Sequence, residues 1–391
     1  MKRLPYASGI VHRSKNLFTK GLFFDRPLLL IQSDDWGRVG TRDQEGLEEL
    51  KEAGLLPGEN PYDFYSLETS DDVATLTAML QSHRDSVSRS AVLAMYFVVS
   101  NVDFESAAAS SYQQIPMRCL SQGLPRRWSR PGLLQAYRAA VAHGTAYPAL
   151  HGTTHFCRFA VQRELRSEGP RGELLRALWQ SETPYIFWRM PWIGYEYWDA
   201  GQRPEERHLS ADLQLAAIRE AVRGFQEIFD KAPLSACAPG YRADGNTHKA
   251  WRHCGVNVAQ SGSNGMIAPR FDAHGILNIY RNIDFEPALD ETFSVQRSLR
   301  IAAECFARGI PAVLSIHSIN FHSSLKNYRS STLCFLHEFL TQLENRFPNL
   351  LYVHDKDLYD LVTRGEYQGS SGGVKVRVWQ RNIHLARMAA Q

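Results

Sequence analysis

The chain has 391 residues, 44 of them basic and 41 acidic, for a formal net charge of +3. That balance excludes a dedicated nucleic-acid binder, which would be more strongly basic. A composition of 44% hydrophobic and 22% charged residues is that of a globular protein with a large core, and six cysteines without a C-x-x-C pair exclude a disulfide scaffold and read as reduced thiols.

The first 24 residues, MKRLPYASGIVHRSKNLFTKGLFF, carry basic residues but no continuous apolar stretch. They make a poor secretory signal. No run approaches the roughly 18–20 apolar residues of a membrane span. The expectation is a soluble, cytoplasmic protein with no transmembrane segment. Its oligomeric state is open.

Short apolar runs predict buried strands at 28–31, 91–99, 147–150, 234–238, 256–259, 277–280, 312–316 and 350–353. Their hydrophobicity is continuous rather than alternating, which suits parallel strands covered on both faces. Helical patterns lie between them. Asp71 and Asp72 open one such pattern, where acids favour a helix N-terminus. Residues 211–229 place Leu215, Ile218, Val222, Phe225 and Phe229 on one face, with Ser210 as cap and Pro233 beyond the end. Residues 296–308 end at Gly309 and Pro311. Strand–helix alternation predicts an α/β chain with βα units, and about eight strands favour a barrel. The barrel is expected over residues 1–365, with an aromatic-rich insertion near 158–208. Residues 366–391 read as a Gly/Ser joint, GSSGG at 369–373, and a basic tail whose VKVRVW run is an edge strand or a contact for an acidic surface.

In such barrels functional groups gather where strands end. Strand 28–31 runs into Asp34 and Asp35, strand 147–150 into His151 and His155, strand 234–238 into PGYRADGN, and strand 312–316 into His317. Two histidines four apart with one carboxylate form a recurring catalytic zinc shell, which also suits other divalent metals. A second acid beside the ligand is then free to take a proton from water. Alone, an Asp-Asp pair is a turn and a lone histidine a satisfied core residue. Their conjunction at successive strand ends is what points to chemistry.

These residues resemble the motifs of the polysaccharide deacetylase superfamily: SDD at 33–35, HGTTH at 151–155 and LSIH at 314–317. The resemblance spans roughly residues 28–317 and implies a distorted (β/α) barrel of about seven to eight parallel strands. It implies Asp34 as catalytic base, Asp35, His151 and His155 as ligands of one divalent metal, and His317 as general acid. Zinc is the first choice of metal, with cobalt, nickel, manganese or iron(II) as alternatives. We assign Trp36, Tyr241 and Arg242 to substrate binding. The sequence departs from the pattern at Gly152, where Ser or Thr is usual, and at Cys237, where an Arg that orients the base is usual. Arg242 and Arg281 are the candidates to replace that Arg. An Asp-rich fourth motif has no clear counterpart, although RNIDFEP offers Asp284 and Glu286.

Residues 184–198, PYIFWRMPWIGYEYW, are crowded with aromatics and carry Arg189 and Glu196. They read equally as a sugar-contacting surface and as packing for an inserted subdomain or a dimer contact. The expected reaction is removal of an acetyl group from an N-acetylated sugar or polysaccharide precursor. The metal and a backbone N–H near Tyr241 would stabilise the oxyanion. The alternatives are hydrolysis of another non-peptide C–N bond in a small metabolite, and a non-catalytic glycan-binding relative.

Overall fold

The computed structural model describes residues 18–55, 58–262, 265–369 and 372–384. The N-terminal reading falls mainly on residues 1–17, and the tip of the Gly/Ser joint on 370–371; both lie outside the described residues. In chain order the strands are β1 (Phe18–Phe24), β2 (Leu28–Trp36), β3 (Leu93–Phe97), β4 (Ser100–Val102), β5 (Met117–Cys119), β6 (Ala146–Leu150), β7 (Ser235–Cys237) and β8 (Val258–Ser261). They continue with β9 (Arg270–Phe271), β10 (Leu277–Tyr280), β11 (Ile283–Asp284), β12 (Ala312–His317), β13 (Leu351–Tyr352), β14 (Glu366–Gly369), β15 (Gly372–Lys375) and β16 (Val378–His384).

The main sheet runs β11-β12-β2-β3-β6-β7-β8-β10, all parallel, with β9 antiparallel on β10 and β13 on the lower end of β2. Its first and last strands are neighbours in the chain. Up to Tyr280 the backbone pairs with β8, and Arg281 N still donates to Ser261 O at 3.1 Å. From Asn282, whose N donates to Val313 O at 3.1 Å, it pairs with β12. One run of residues therefore closes the sheet into a distorted barrel of seven staves: β12, β2, β3, β6, β7, β8 and β10–β11. Asn282 laces the seam, donating to Pro311 O and accepting from Val313 N, each at 2.9 Å.

Every residue of β2 is buried, as are those of β3 and β6, which is why their sequences lack alternation. The predicted helices form around the barrel at Ser70–Gln81, Ala211–Phe229 and Val295–Ala307. Thr69 and Asp72 make a reciprocal capping box on the first, and Ser210 caps the second through Leu213 N. Inside the barrel a polar floor lies beneath the strand ends. Asp355 accepts from Gln32 Nε2 and from Tyr96 Oη, both at 2.6 Å.

The VKVRVW run is divided rather than being one edge strand. Its first two residues belong to the β14–β15 hairpin, and its last two begin β16. β16 pairs antiparallel along all of β1. Among the described residues no helix is long and apolar enough to cross a membrane, and all six cysteines are free.

Candidate metal centre and its surroundings

Adjacent residues of a regular strand point to opposite faces. Asp34 and Asp35 escape that rule because the β2–β3 register shifts between Ser33 and Trp36, and Asp35 adopts φ +73°. The resulting bulge turns both carboxylates toward the barrel mouth. Tyr65 Oη secures it by donating to Asp35 O at 2.8 Å.

Asp35 Oδ1 lies 3.5 Å from His151 Nε2 and 3.3 Å from His155 Nε2, all three residues being buried. His151 Nδ1 faces Cys237 O at 3.0 Å. A carbonyl only accepts, so Nδ1 carries a hydrogen, and Nε2 is the ring atom turned toward Asp35. His155 Nδ1 is bonded to Tyr185 Oη. Burial drives the His155 pKa well below the ordinary value, more than offsetting Asp35, so its ring is neutral. Asp35 Oδ1 is consequently a buried acceptor without a hydrogen-bond partner, facing two imidazole nitrogens. An orphaned oxygen with two convergent Nε2 atoms fits a divalent cation.

Asp34 is held on the other side. Arg281 grips it with Nη2 to Oδ1 at 2.6 Å and Nη1 to Oδ2 at 2.7 Å. Burial alone would raise the Asp34 carboxyl, but Arg281 keeps it below the usual carboxylate value. Asp35 is treated alike: burial raises it, and Arg38 brings it well below. Arg38 Nη2 stands 3.3 Å from Asp35 Oδ2. Each acid of the pair thus has its own guanidinium.

His317 ends β12 directly opposite Asp34 in register. Its Nδ1 bonds Glu286 Oε1 at 2.6 Å, and Glu286 is fixed in turn by Asn320 Nδ2 at 2.5 Å. Burial lowers the imidazole, but Glu286 outweighs it and the pKa is pushed up to about 9. Of the two candidates to replace the missing Arg, the geometry selects Arg281. Arg242 stacks its guanidinium 4.7 Å from the Trp198 ring centroid instead. Glu286 and Arg281 had one sequence signal, the RNIDFEP stretch, but no spacing rule that gave them roles.

Two expectations are corrected, for Trp36 and for the Tyr241 backbone. Trp36 is fully buried and stacks on Phe321 at 5.7 Å, so it belongs to the core and does not meet a substrate. Arg242 stacks on Trp198 of the aromatic segment. The Tyr241 N–H closes a turn onto Ala238 O at 2.8 Å and is not free for an oxyanion. The Tyr241 side chain does reach the site: its Oη accepts from Arg281 Nη1 at 2.9 Å, and its residue is 40% exposed.

The aromatic segment divides its work. Tyr185, Ile186, Met190 and Ile193 pack against the helices Arg158–Leu165 and Pro170–Gln180, while Phe187 and Trp188 are exposed. The Tyr195 and His155 rings meet edge to face with centroids 5.6 Å apart. Glu196 does not face a substrate. It is buried behind the histidine loop and accepts from Thr153 N at 2.9 Å and Thr154 N at 3.4 Å. Burial pushes its carboxyl up to about 7. Gly152, at φ +87°, makes room for it, because a Cβ there would collide with Glu196 Oε2. A Cβ on Gly240 would likewise collide with the Tyr195 ring. The turn Tyr195–Trp198, closed by two 2.8 Å backbone bonds, is wedged between two strand-end loops that each carry a glycine to admit it.

No protein-family model matches the sequence, and no curated protein matches it. Solved structures similar in fold include a candidate polysaccharide deacetylase from Mycobacterium smegmatis (11% identity, 93% of this chain and 96% of that chain, TM-score 0.46). An allantoinase is similar at 13% identity over 87% of this chain and 92% of that chain, TM-score 0.43. A 4-alpha-glucanotransferase from Thermococcus litoralis is similar at 9% identity over 86% of this chain and 41% of that chain, TM-score 0.46. The three names describe different activities at TM-scores below 0.5, so the functional reading rests on the residues.

Proposed function

We propose that this chain is a metal-dependent hydrolase of non-peptide C–N bonds that removes an acetyl group from an N-acetylated sugar or sugar-like precursor. The observation that carries the reading is the convergence of Asp35 Oδ1, His151 Nε2 and His155 Nε2, all on buried residues, with Asp35 Oδ1 lacking a hydrogen-bond partner. Those three atoms would hold the ion. When bound, a divalent ion supplies the positive charge that polarises an acyl carbonyl and makes water more acidic.

The chain's own groups do the proton work. Asp34 stays ionised, and Arg281 fixes its plane. Asp34 Oδ2 also accepts from Cys237 Sγ at 3.9 Å, whereas Oδ1, among the described residues, has only Arg281 and keeps a second lone pair to take the proton of the attacking water. His317 is protonated at neutral pH, and its Nδ1 is committed to Glu286, so Nε2 donates to the departing amine. Tyr241 Oη, held by Arg281, lines the same mouth.

The test has two parts. Purified protein reconstituted with zinc is assayed by elemental analysis, and then screened against acetylated amino sugars, nucleotide-linked sugars and ureides. Asp34→Asn should abolish turnover with metal content intact, whereas His151→Ala and His155→Ala should lose the metal. Near-normal turnover by Asp34→Asn, or zinc retained by both histidine variants, would sink the reading.

A further inference from the structure

Resting on the hydrolase reading above, we infer that the cleft beside Arg38 binds an anionic group of the substrate, a carboxylate or a phosphate. The first observation is a charge balance. The three carboxylates at the mouth each have a cation already: Asp34 has Arg281 at 2.6 Å, Asp35 has Arg38 at 3.3 Å, and Glu286 has His317 at 2.6 Å. Two other buried acids lie off the mouth. Glu196 lies behind the histidine loop, and Asp355 lies in the floor under Gln32 and Tyr96. The three pairs therefore offer no net negative charge to a divalent ion that enters. Two further positive charges in a buried place are costly unless an anion accompanies them. In a shell whose acids were unpaired, those acids would offset the ion. Here they are spoken for, and an anionic group on the substrate would offset part of the ion's charge.

The second observation is the state of Arg38. The residue is only 6% exposed, and its buried Nε has no hydrogen-bond partner. Nη1 donates to Tyr185 Oη at 2.9 Å. A guanidinium has five N–H donors in a planar fork that matches carboxylate and phosphate oxygens. Arg38 is held flat, its Cζ 4.0 Å from the Tyr65 ring centroid. It lines a cleft with Tyr62, Tyr65, Tyr185 and Phe187. Tyr185 bridges this cleft to the metal shell, because its Oη also bonds His155 Nδ1. An anion on Arg38 would therefore lie beside the metal shell, and the aromatic walls suit the apolar face of a ring that carries it.

Three matched probes test this: N-acetylglucosamine, which is neutral, N-acetylmuramic acid, which adds a carboxylate, and N-acetylglucosamine 1-phosphate. Their dissociation constants are measured by calorimetry on the zinc-loaded and zinc-free protein, with zinc content determined on the same samples. The wild type should bind at least one charged probe about tenfold or more tighter than the neutral one, and the tighter of the two names the anion. Arg38→Gln should bring all three within about twofold, and Arg38→Lys, which keeps charge but loses the fork, should fall between. Arg38→Lys also carries the test if the Gln variant does not fold. Equal binding of the three by zinc-holding wild type, binding of none, or a preference that survives Arg38→Gln overturns the anion site and leaves the hydrolase reading standing. Protein that holds no zinc yet still prefers a charged probe overturns the hydrolase reading and keeps the cleft.

Discussion

Arg281 and Asp34 are 247 residues apart in the chain and meet as a bidentate pair inside the barrel. The guanidinium enters from the point where the last stave changes partners. It reaches the carboxylate, Tyr241 Oη and Ser315 Oγ together. Arg281→Met should leave a buried carboxylate without its cation and cost about 3–5 kcal/mol of stability. Arg281→Lys should fold better but still lose about a hundredfold in kcat, because one ammonium cannot fix the carboxylate plane. Denaturant melts and steady-state rates on the two variants separate charge from orientation. Wild-type kcat in Arg281→Lys would show that Asp34 needs no fork.

The His317–Glu286 pair sets a pH limit. Its working form is protonated, and Glu286 lifts its pKa to about 9 against the lowering effect of burial. The folded value therefore exceeds the unfolded one, near 6.5. The pair's contribution to stability is complete below that unfolded value and is lost as pH rises through about 9. The alkaline limb of the kcat profile should fall near pH 9. Glu286→Gln should move it down toward the ordinary histidine range. A limb that stays in place would remove His317 from the role of acid.

Gly152 and Glu196 should fail together and recover together. Gly152→Ala asks a left-handed backbone to carry a Cβ that collides with Glu196. It should cost about 1–3 kcal/mol and weaken zinc binding, since His151 adjoins the strained residue. Gly152→Ala combined with Glu196→Ala should regain part of both losses. Additive losses in a double-mutant cycle on zinc affinity would show that the two do not act through one contact.

Trp36 tests a correction. It stacks on Phe321 with no exposed surface. Trp36→Leu should destabilise the fold by about 2–4 kcal/mol through lost volume, with KM unchanged for the folded fraction. A raised KM at unchanged stability would restore it as a substrate contact.

The legible part of the site was the part that follows strands. Asp34, Asp35, His151, His155 and His317 stand directly after apolar runs, and a chemical type at a strand end is readable without tertiary information. Arg281 sits between two strands at the barrel seam, a place that no local pattern marks, so the stretch 281–287 was visible only as a set of charges. Glu286 acts on a histidine 31 residues on, a distance no motif spans. Trp36 misled because proximity to the acids in sequence says nothing of facing once a bulge reverses the strand. The barrel was readable from eight apolar runs, but the β1–β16 pairing depends on segments near opposite ends of the chain meeting, and neither is strongly patterned alone.

The wedge between the two strand-end loops has a consequence for descent. The turn Tyr195–Trp198 can be kept only while positions 152 and 240 stay glycine. A homologue with the turn has no room for a side chain at either glycine position, whatever backbone it adopts there. A related chain that carries a side chain at position 152 should therefore lack the wedge.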